Sequence, residues 1–320
     1  MISLALARGR GRVAILVVAS LVTACAPSRV SHAALASLPD DLPAQPVELT
    51  SASGTTIRGW FAPGRPGSGA VLLLHGIGAS RVDMVGRARF LAAAGYSVLL
   101  IDFRGHGDSS AARSTYGGLE SHDVRAAVEY LHAALPGERV GVIGVSMGGA
   151  AALLGPSPLP VQALVLESVY PTIRDAVRDR LRAWLGFVGQ ALVPLVMGSL
   201  FPREGVEAKD LRPIDRIDQQ IAPVFVLAGG ADRYTTAQEA RDLFAHAREP
   251  KAYWEVDGAA HVDLHAFSGV EYERRVGAFL ARHLHADLDA GSQVMAGPGL
   301  APRAEPEQDA ERPARSDDPT

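Results

Sequence analysis

Short apolar runs alternate along the chain with longer segments in which apolar residues recur every three or four positions. Ala70 to Leu74, Ser97 to Ile101, Val140 to Val145, Val161 to Leu166 and Pro223 to Ala228 are runs of the first kind. Each predicts a strand buried on both faces, and Lys251 to Val256 predicts a last one. Segments of the second kind predict helices over residues 83–94, 119–134, 236–247 and 270–284. In the second of these, Val124, Ala127, Val128 and Leu131 share one face. Ahead of them, Val47 to Thr50 and Thr56 to Ala62 read as an antiparallel pair joined near Ser53-Gly54. Strands alternating with helices predict an α/β domain over residues 47–285, its mostly parallel central sheet covered by helices on both faces.

The alternation breaks once. Between the strands at 161–166 and 223–228 lie over fifty residues, too many for a plain crossover. Arg174, Asp175, Arg178, Asp179, Arg180 and Arg182 mark a charged amphipathic helix. Ala183 to Phe201 then carries no charge and nearly reaches the length of a membrane span. Gly186, Gly189, Gln190, Pro194 and Gly198 interrupt it, however, and strands of one sheet stand on both sides. The insertion, about residues 171–222, reads as a lid over a pocket, or else as a buried packing helix. In the lid reading, apolar side chains such as Leu192 and Val196 line an acyl slot.

The chain ends differ from its middle. Arg8, Arg10 and Arg12 precede an uncharged run, Val13 to Ala24, which suits a signal peptide over residues 1–24. Val22-Thr-Ala-Cys25 resembles the lipobox of bacterial lipoproteins, which implies lipidation of Cys25 and anchoring to a membrane. An ordinary secretory signal with an incidental cysteine is the alternative. Ala26 after the cysteine implies, in a Gram-negative cell, the outer membrane facing the periplasm. Cys25 is the only cysteine, so no internal disulfide forms. Residues 25–46 read as a tether rich in Ala, Ser and Pro. Residues 286–320, with eight acids and three arginines and no periodicity, read as a disordered acidic tail. The net charge is −4 and no basic patch stands out, which argues against a nucleic-acid partner.

The chemistry concentrates where predicted strands end. Gly144-Val-Ser146-Met-Gly148 follows a buried strand and opens a helix of small residues. A sharp turn there lifts a serine hydroxyl clear of the backbone, although in a glycine-rich chain the same pattern also suits an inert turn. His75-Gly76-Ile77-Gly78, Asp232 and His261 fall at the ends of other predicted strands, where open α/β sheets build their sites.

With these motifs the chain resembles the α/β-hydrolase superfamily over about residues 47–285. The resemblance implies Ser146 as nucleophile, Asp232 as acid and His261 as base, with the backbone N–H groups of Ile77 and Met147 as oxyanion hole. It also implies that the Asp102-Phe-Arg-Gly-His-Gly-Asp-Ser109 turn is structural. Glu167 rivals Asp232 for the acid, and His265 lies four residues beyond His261. His75 and His106 read as structural, and Asp257 and Asp263 as loop and capping carboxylates. The expected function is a membrane-anchored serine hydrolase cleaving carboxylic esters of small-molecule or lipid-like substrates, without metal or organic cofactor. A thioesterase, amidase or acyltransferase on the same triad, or a non-catalytic binding lipoprotein, remain alternatives.

Overall fold

The computed structural model describes residues 38–109 and 113–285. The export signal, Cys25, most of the tether and the acidic tail lie outside the described residues. Eight strands are formed: β1 (Gln45–Thr50), β2 (Thr56–Ala62), β3 (Ala70–Leu74), β4 (Ser97–Asp102), β5 (Val140–Val145), β6 (Ala163–Glu167), β7 (Val224–Gly229) and β8 (Lys251–Val256). They make one sheet in the order β1-β2-β4-β3-β5-β6-β7-β8. Only the β1–β2 and β2–β4 pairings are antiparallel. The sheet is therefore mostly parallel, as the continuous apolar runs require.

Alternation along each strand sorts the side chains into two cores. On β3, Leu72 and Leu74 enter one cluster while Val71 and Leu73 enter the other. On β7, Val224 and Val226 join the first and Phe225 and Leu227 the second. The helices α1 (Val85–Ala94), α2 (Glu120–Ala134) and α3 (Met147–Leu153) follow β3, β4 and β5. After β7 and β8 come α6 (Ala237–His246), a short α7 (Leu264–Phe267) and α8 (Gly269–Leu284). Helices α2, α3 and α6 cover the first face, and α1 and α8 the second.

The insertion between β6 and β7 is a helical hairpin, α4 (Ile173–Leu185) and α5 (Phe187–Leu200), followed by short 3₁₀ turns. Thr172 caps α4 by accepting the Asp175 N–H, and Gly186 turns the chain at φ 62°. The two helices approach closely at Gly189, where an added Cβ would lie 2.2 Å from the Leu181 carbonyl oxygen.

The uncharged run has two faces. Val193, Val196, Met197 and Leu200 pack into the core, whereas Phe187 is 85% exposed and Val188 and Leu195 about half exposed. This corrects the acyl-slot expectation: of the run, Leu200 alone lines the apolar cavity beside Ser146, and Val196 is buried in the core. No helix among the described residues is long and apolar enough to cross a membrane.

Candidate active site

Strand β5 ends at Val145 and α3 begins at Met147, so Ser146 alone makes the turn. Its backbone sits at φ 50°, ψ −112°, a conformation that costs a non-glycine residue about 1–3 kcal/mol. The neighbours show what holds it there. The Ser146 N–H donates to the Glu167 carbonyl at 2.7 Å, and its own carbonyl accepts the Ala150 N–H at 3.0 Å. An added Cβ on Gly144 would lie 2.6 Å from the Gly149 backbone, and one on Gly148 2.5 Å from the Leu74 oxygen. Only glycines let α3 press so closely on β3 and β5.

Asp232 follows β7 and His261 follows β8, adjacent strands of the sheet. Their side chains meet, with His261 Nδ1 2.7 Å from Asp232 Oδ2. The carboxylate is nearly buried and richly solvated by the protein. Oδ1 accepts the Tyr234 and Thr235 N–H groups at 2.8 and 3.0 Å, and Oδ2 accepts the Thr235 hydroxyl at 2.8 Å. Burial alone would raise this carboxyl. The hydrogen bond and charge of His261, with the Thr235 and Tyr234 amides, outweigh burial and hold it below the ordinary carboxylate range. An ionised carboxylate only accepts, so the proton sits on His261 Nδ1 and the lone pair on Nε2. Sequence reasoning missed Thr235. Its signal was the Asp-x-x-Thr spacing that lets an aspartate bond the backbone of the turn it opens.

Glu167, the rival acid, is committed elsewhere. It is 1% exposed, and its oxygens take Arg87 Nε at 3.1 Å, Arg87 Nη2 at 2.7 Å and the Tyr272 hydroxyl. His265 bonds Glu273 at 2.9 Å and stacks on Phe90. Asp263 caps α7 and pairs with Arg87 at 2.8 Å.

The loop after β3 is fixed by two histidines. His75 donates from Nδ1 to the Gly76 carbonyl at 2.7 Å and accepts the Phe103 N–H at Nε2. Burial, with the charges of His106 and Arg81, pushes His75 down to about 3, so it stays neutral. His106 donates from Nδ1 to the Arg104 carbonyl and accepts the Gly78 N–H at 3.3 Å. The Asp102 carboxylate binds the Arg81 and Asp108 N–H groups at 2.7 and 2.9 Å and pairs with the Arg81 guanidinium. These side chains are structural, and what they hold still is Ile77. Its N–H has no acceptor among the described residues. Met147, as the first residue of α3, has no intrahelical one.

Ser146, Ile77 and His261 stand between two cavities that all three line. The smaller, about 70 Å³, is walled by Tyr116, Met147, Tyr170, Val177 and Leu200. The larger, about 390 Å³, is the more polar of the two, with Asp83, Arg87, Ser168 and Asp263 in its wall. Arg180, from α4, belongs to both. Among the described residues no hydrogen bond joins Ser146 to His261, and no cluster of three His, Cys, Asp or Glu side chains could hold a metal ion. Catalytic contacts of this kind commonly tighten only with substrate in place.

The chain and its fold have counterparts among known proteins. A family profile described as the alpha/beta hydrolase fold matches residues 69–193. An uncharacterized protein of Mycobacterium tuberculosis is 32% identical over 229 residues, which is 70% of this chain and 74% of that one. The uncharacterized protein YqkD of Bacillus subtilis is 24% identical over 240 residues, 72% of this chain and 77% of its own. Among solved structures, an esterase of Pyrococcus furiosus superposes with a TM-score of 0.68 at 25% identity, covering 81% of this chain and 98% of that one. An esterase of Exiguobacterium antarcticum superposes at 0.55 with 18% identity, over 73% of this chain and 98% of its own, a likeness of fold.

Proposed function

The chain belongs to the alpha/beta hydrolase superfamily, and from that premise we propose that it is a serine esterase working through an acyl-enzyme on Ser146. One observation carries the reading. His261 is held by Asp232 in the tautomer with a free Nε2 lone pair, beside a cavity that it shares with Ser146 on its strained turn. The likeness to the Pyrococcus furiosus esterase supports the choice of bond.

The steps follow from the groups present. His261 Nε2 takes the Ser146 proton as Oγ attacks the ester carbonyl carbon, and the resulting imidazolium is stabilised by Asp232. Negative charge develops on the carbonyl oxygen, for which the Ile77 and Met147 N–H groups are the donors. Losing one such donor typically costs about 3 kcal/mol of transition-state stabilisation. As the C–O bond breaks, His261 protonates the departing alcohol. Water, deprotonated by the same imidazole, then attacks the acyl-enzyme and frees the acid and Ser146. Hydrolysis of p-nitrophenyl acetate tests the reading: Ser146→Ala and His261→Ala should each lower kcat by several orders of magnitude. Undiminished turnover in Ser146→Ala contradicts it.

Anchoring belongs to the same proposal and rests on sequence. Lipidated at Cys25, the enzyme is held in the bacterial cell envelope, facing the periplasm from the outer membrane. Radiolabelled fatty acid should enter the wild type and not Cys25→Ser.

A further inference from the structure

Arg180 is the side chain of the site that the esterase reading leaves unused. It projects from the lid helix α4 and, alone with Ser146, Ile77 and His261, lines both cavities. Two neighbouring cations are occupied by acids. Arg87 is paired with Glu167 and Asp263, and Arg178, two residues away, with Asp175, Asp179 and Glu239. Arg180 has no carboxylate partner among the described residues. Its guanidinium rests on aromatic faces instead, 4.6 Å from the Tyr234 ring centroid and 6.0 Å from that of Trp184. Tyr234 in turn stands edge-on to His261, at 5.7 Å between ring centroids, so this stack sets a cation next to the base.

The larger cavity adds a second polar group without a partner. Ser168 is buried at φ 50°, and its hydroxyl makes no hydrogen bond among the described residues. Of the two carboxylates in that wall, Asp263 is paired with Arg87. Asp83 stands exposed and spends Oδ2 on the Ser80 N–H and hydroxyl. Among the described residues, the Arg180 guanidinium is the cation of these walls that no acid neutralises, stacked and half-buried, with its planar edge free to bind two oxygens at once.

Resting on the esterase reading, we propose that Arg180 binds an anionic group on the substrate, so that the enzyme prefers esters carrying a carboxylate or phosphate. The anion pairs with the guanidinium while the ester carbonyl lies against Ser146, and the Ser168 hydroxyl is the further donor. Because Arg180 borders both cavities, the charge is carried on the acyl side or on the alcohol side.

The test is a ratio of kcat/KM values for matched charged and neutral esters, taken within each variant. On the acyl side the pair is p-nitrophenyl hemiadipate against the p-nitrophenyl ester of adipamic acid. On the alcohol side it is 4-acetoxybutyrate against its amide. A third pair, glycerol phosphate acetate against glycerol acetate, separates phosphate from carboxylate. In the wild type at least one pair should favour the anion about tenfold, the scale of a partly exposed charge-assisted contact. Arg180→Gln should bring that ratio close to one, Arg180→Glu should invert it, and Arg174→Gln, on the exposed side of α4, should leave it alone. A Ser146-dependent esterase with all three ratios near one, or with a ratio untouched by Arg180→Gln, overturns the inference and leaves the esterase reading standing. Binding gives a readout independent of turnover. In the Ser146→Ala background, monomethyl adipate should bind about tenfold more weakly once Arg180→Gln is added, and equal Kd values overturn the proposal.

Discussion

His261 Nδ1 lies 2.7 Å from Asp232 Oδ2, while Glu167, one strand nearer to Ser146, is closed off by Arg87 and Tyr272. Two acids thus stand at the ends of neighbouring strands with separate duties. One orients the imidazole, and the other neutralises a buried cation that ties β6 to α1 and, through Tyr272, to α8.

The two duties separate by mutation. Asp232→Asn keeps the shape but lets Nδ1 lose its proton, so kcat should fall about 10³–10⁴-fold with little change in melting temperature. Glu167→Gln removes the main partner of Arg87, which is 1% exposed. Its cost should appear as stability, up to about 3–5 kcal/mol for a broken buried pair, with kcat within a few-fold of wild type below the transition. Thermal melts and ester kinetics on both variants check this. The opposite ranking would place the acid on β6.

The hairpin of α4 and α5 offers a matched pair of glycines. At Gly189 a methyl group meets the Leu181 carbonyl at 2.2 Å, whereas at Gly198 nothing lies within 4 Å. Gly198→Ala should therefore stabilise α5 by about 0.5–1 kcal/mol, as alanine does in a helix interior. Gly189→Ala should destabilise and push α5 off α4, raising KM through the α4 residues Val177 and Arg180 that line the cavity. Urea unfolding with parallel kinetics reads both, and equal effects at the two positions would contradict the close approach.

Glu239, on α6, faces Arg178 and Asp179 of α4. Burial and the hydrogen bond with the Asp179 carboxyl push it up to about 7, against the opposing pull of Arg178 at 2.6 Å. A carboxyl with a raised folded pKa binds more protons native than unfolded between about 4.5 and 7. Its contribution is complete below about 4.5, declines as pH rises to about 7, and changes no further above that. Glu239→Gln cannot ionise, so its melting temperature should gain on the wild type between pH 5 and pH 8. A difference that is constant with pH, or that shrinks, would rule this out.

Much of the architecture was readable because each strand carries an uninterrupted apolar run and each flanking helix a single apolar stripe. The boundaries moved by one or two residues: β6 starts at Ala163 rather than Val161, since Gln162 is used to cap β5 through Val140 N–H. The candidate site residues were visible as residues that follow strands, and the fold places Ser146, Asp232 and His261 after β5, β7 and β8. Less legible was anything that depends on how helices turn about their axes. The sequence of the run after Trp184 is apolar on every side, so it could not say that Val196 faces the core and Phe187 faces outward. Likewise Arg180 was one of six charges on a helix, and only the fold shows that Arg178 is paired with acids while Arg180 borders the cavity. The sequence favoured Asp232 over Glu167 as the acid, and their hydrogen bonds show how differently the two are engaged.

The central claim is that Ser146 is the nucleophile, and covalent labelling with a fluorophosphonate tests it most directly. Wild-type protein should take up one equivalent, and mass spectrometry of the digest should place the adduct on Ser146. Label should be absent from Ser146→Ala, and its rate of uptake should fall by orders of magnitude in His261→Ala. Stoichiometric labelling of another serine, or none in the folded wild type, would contradict the account.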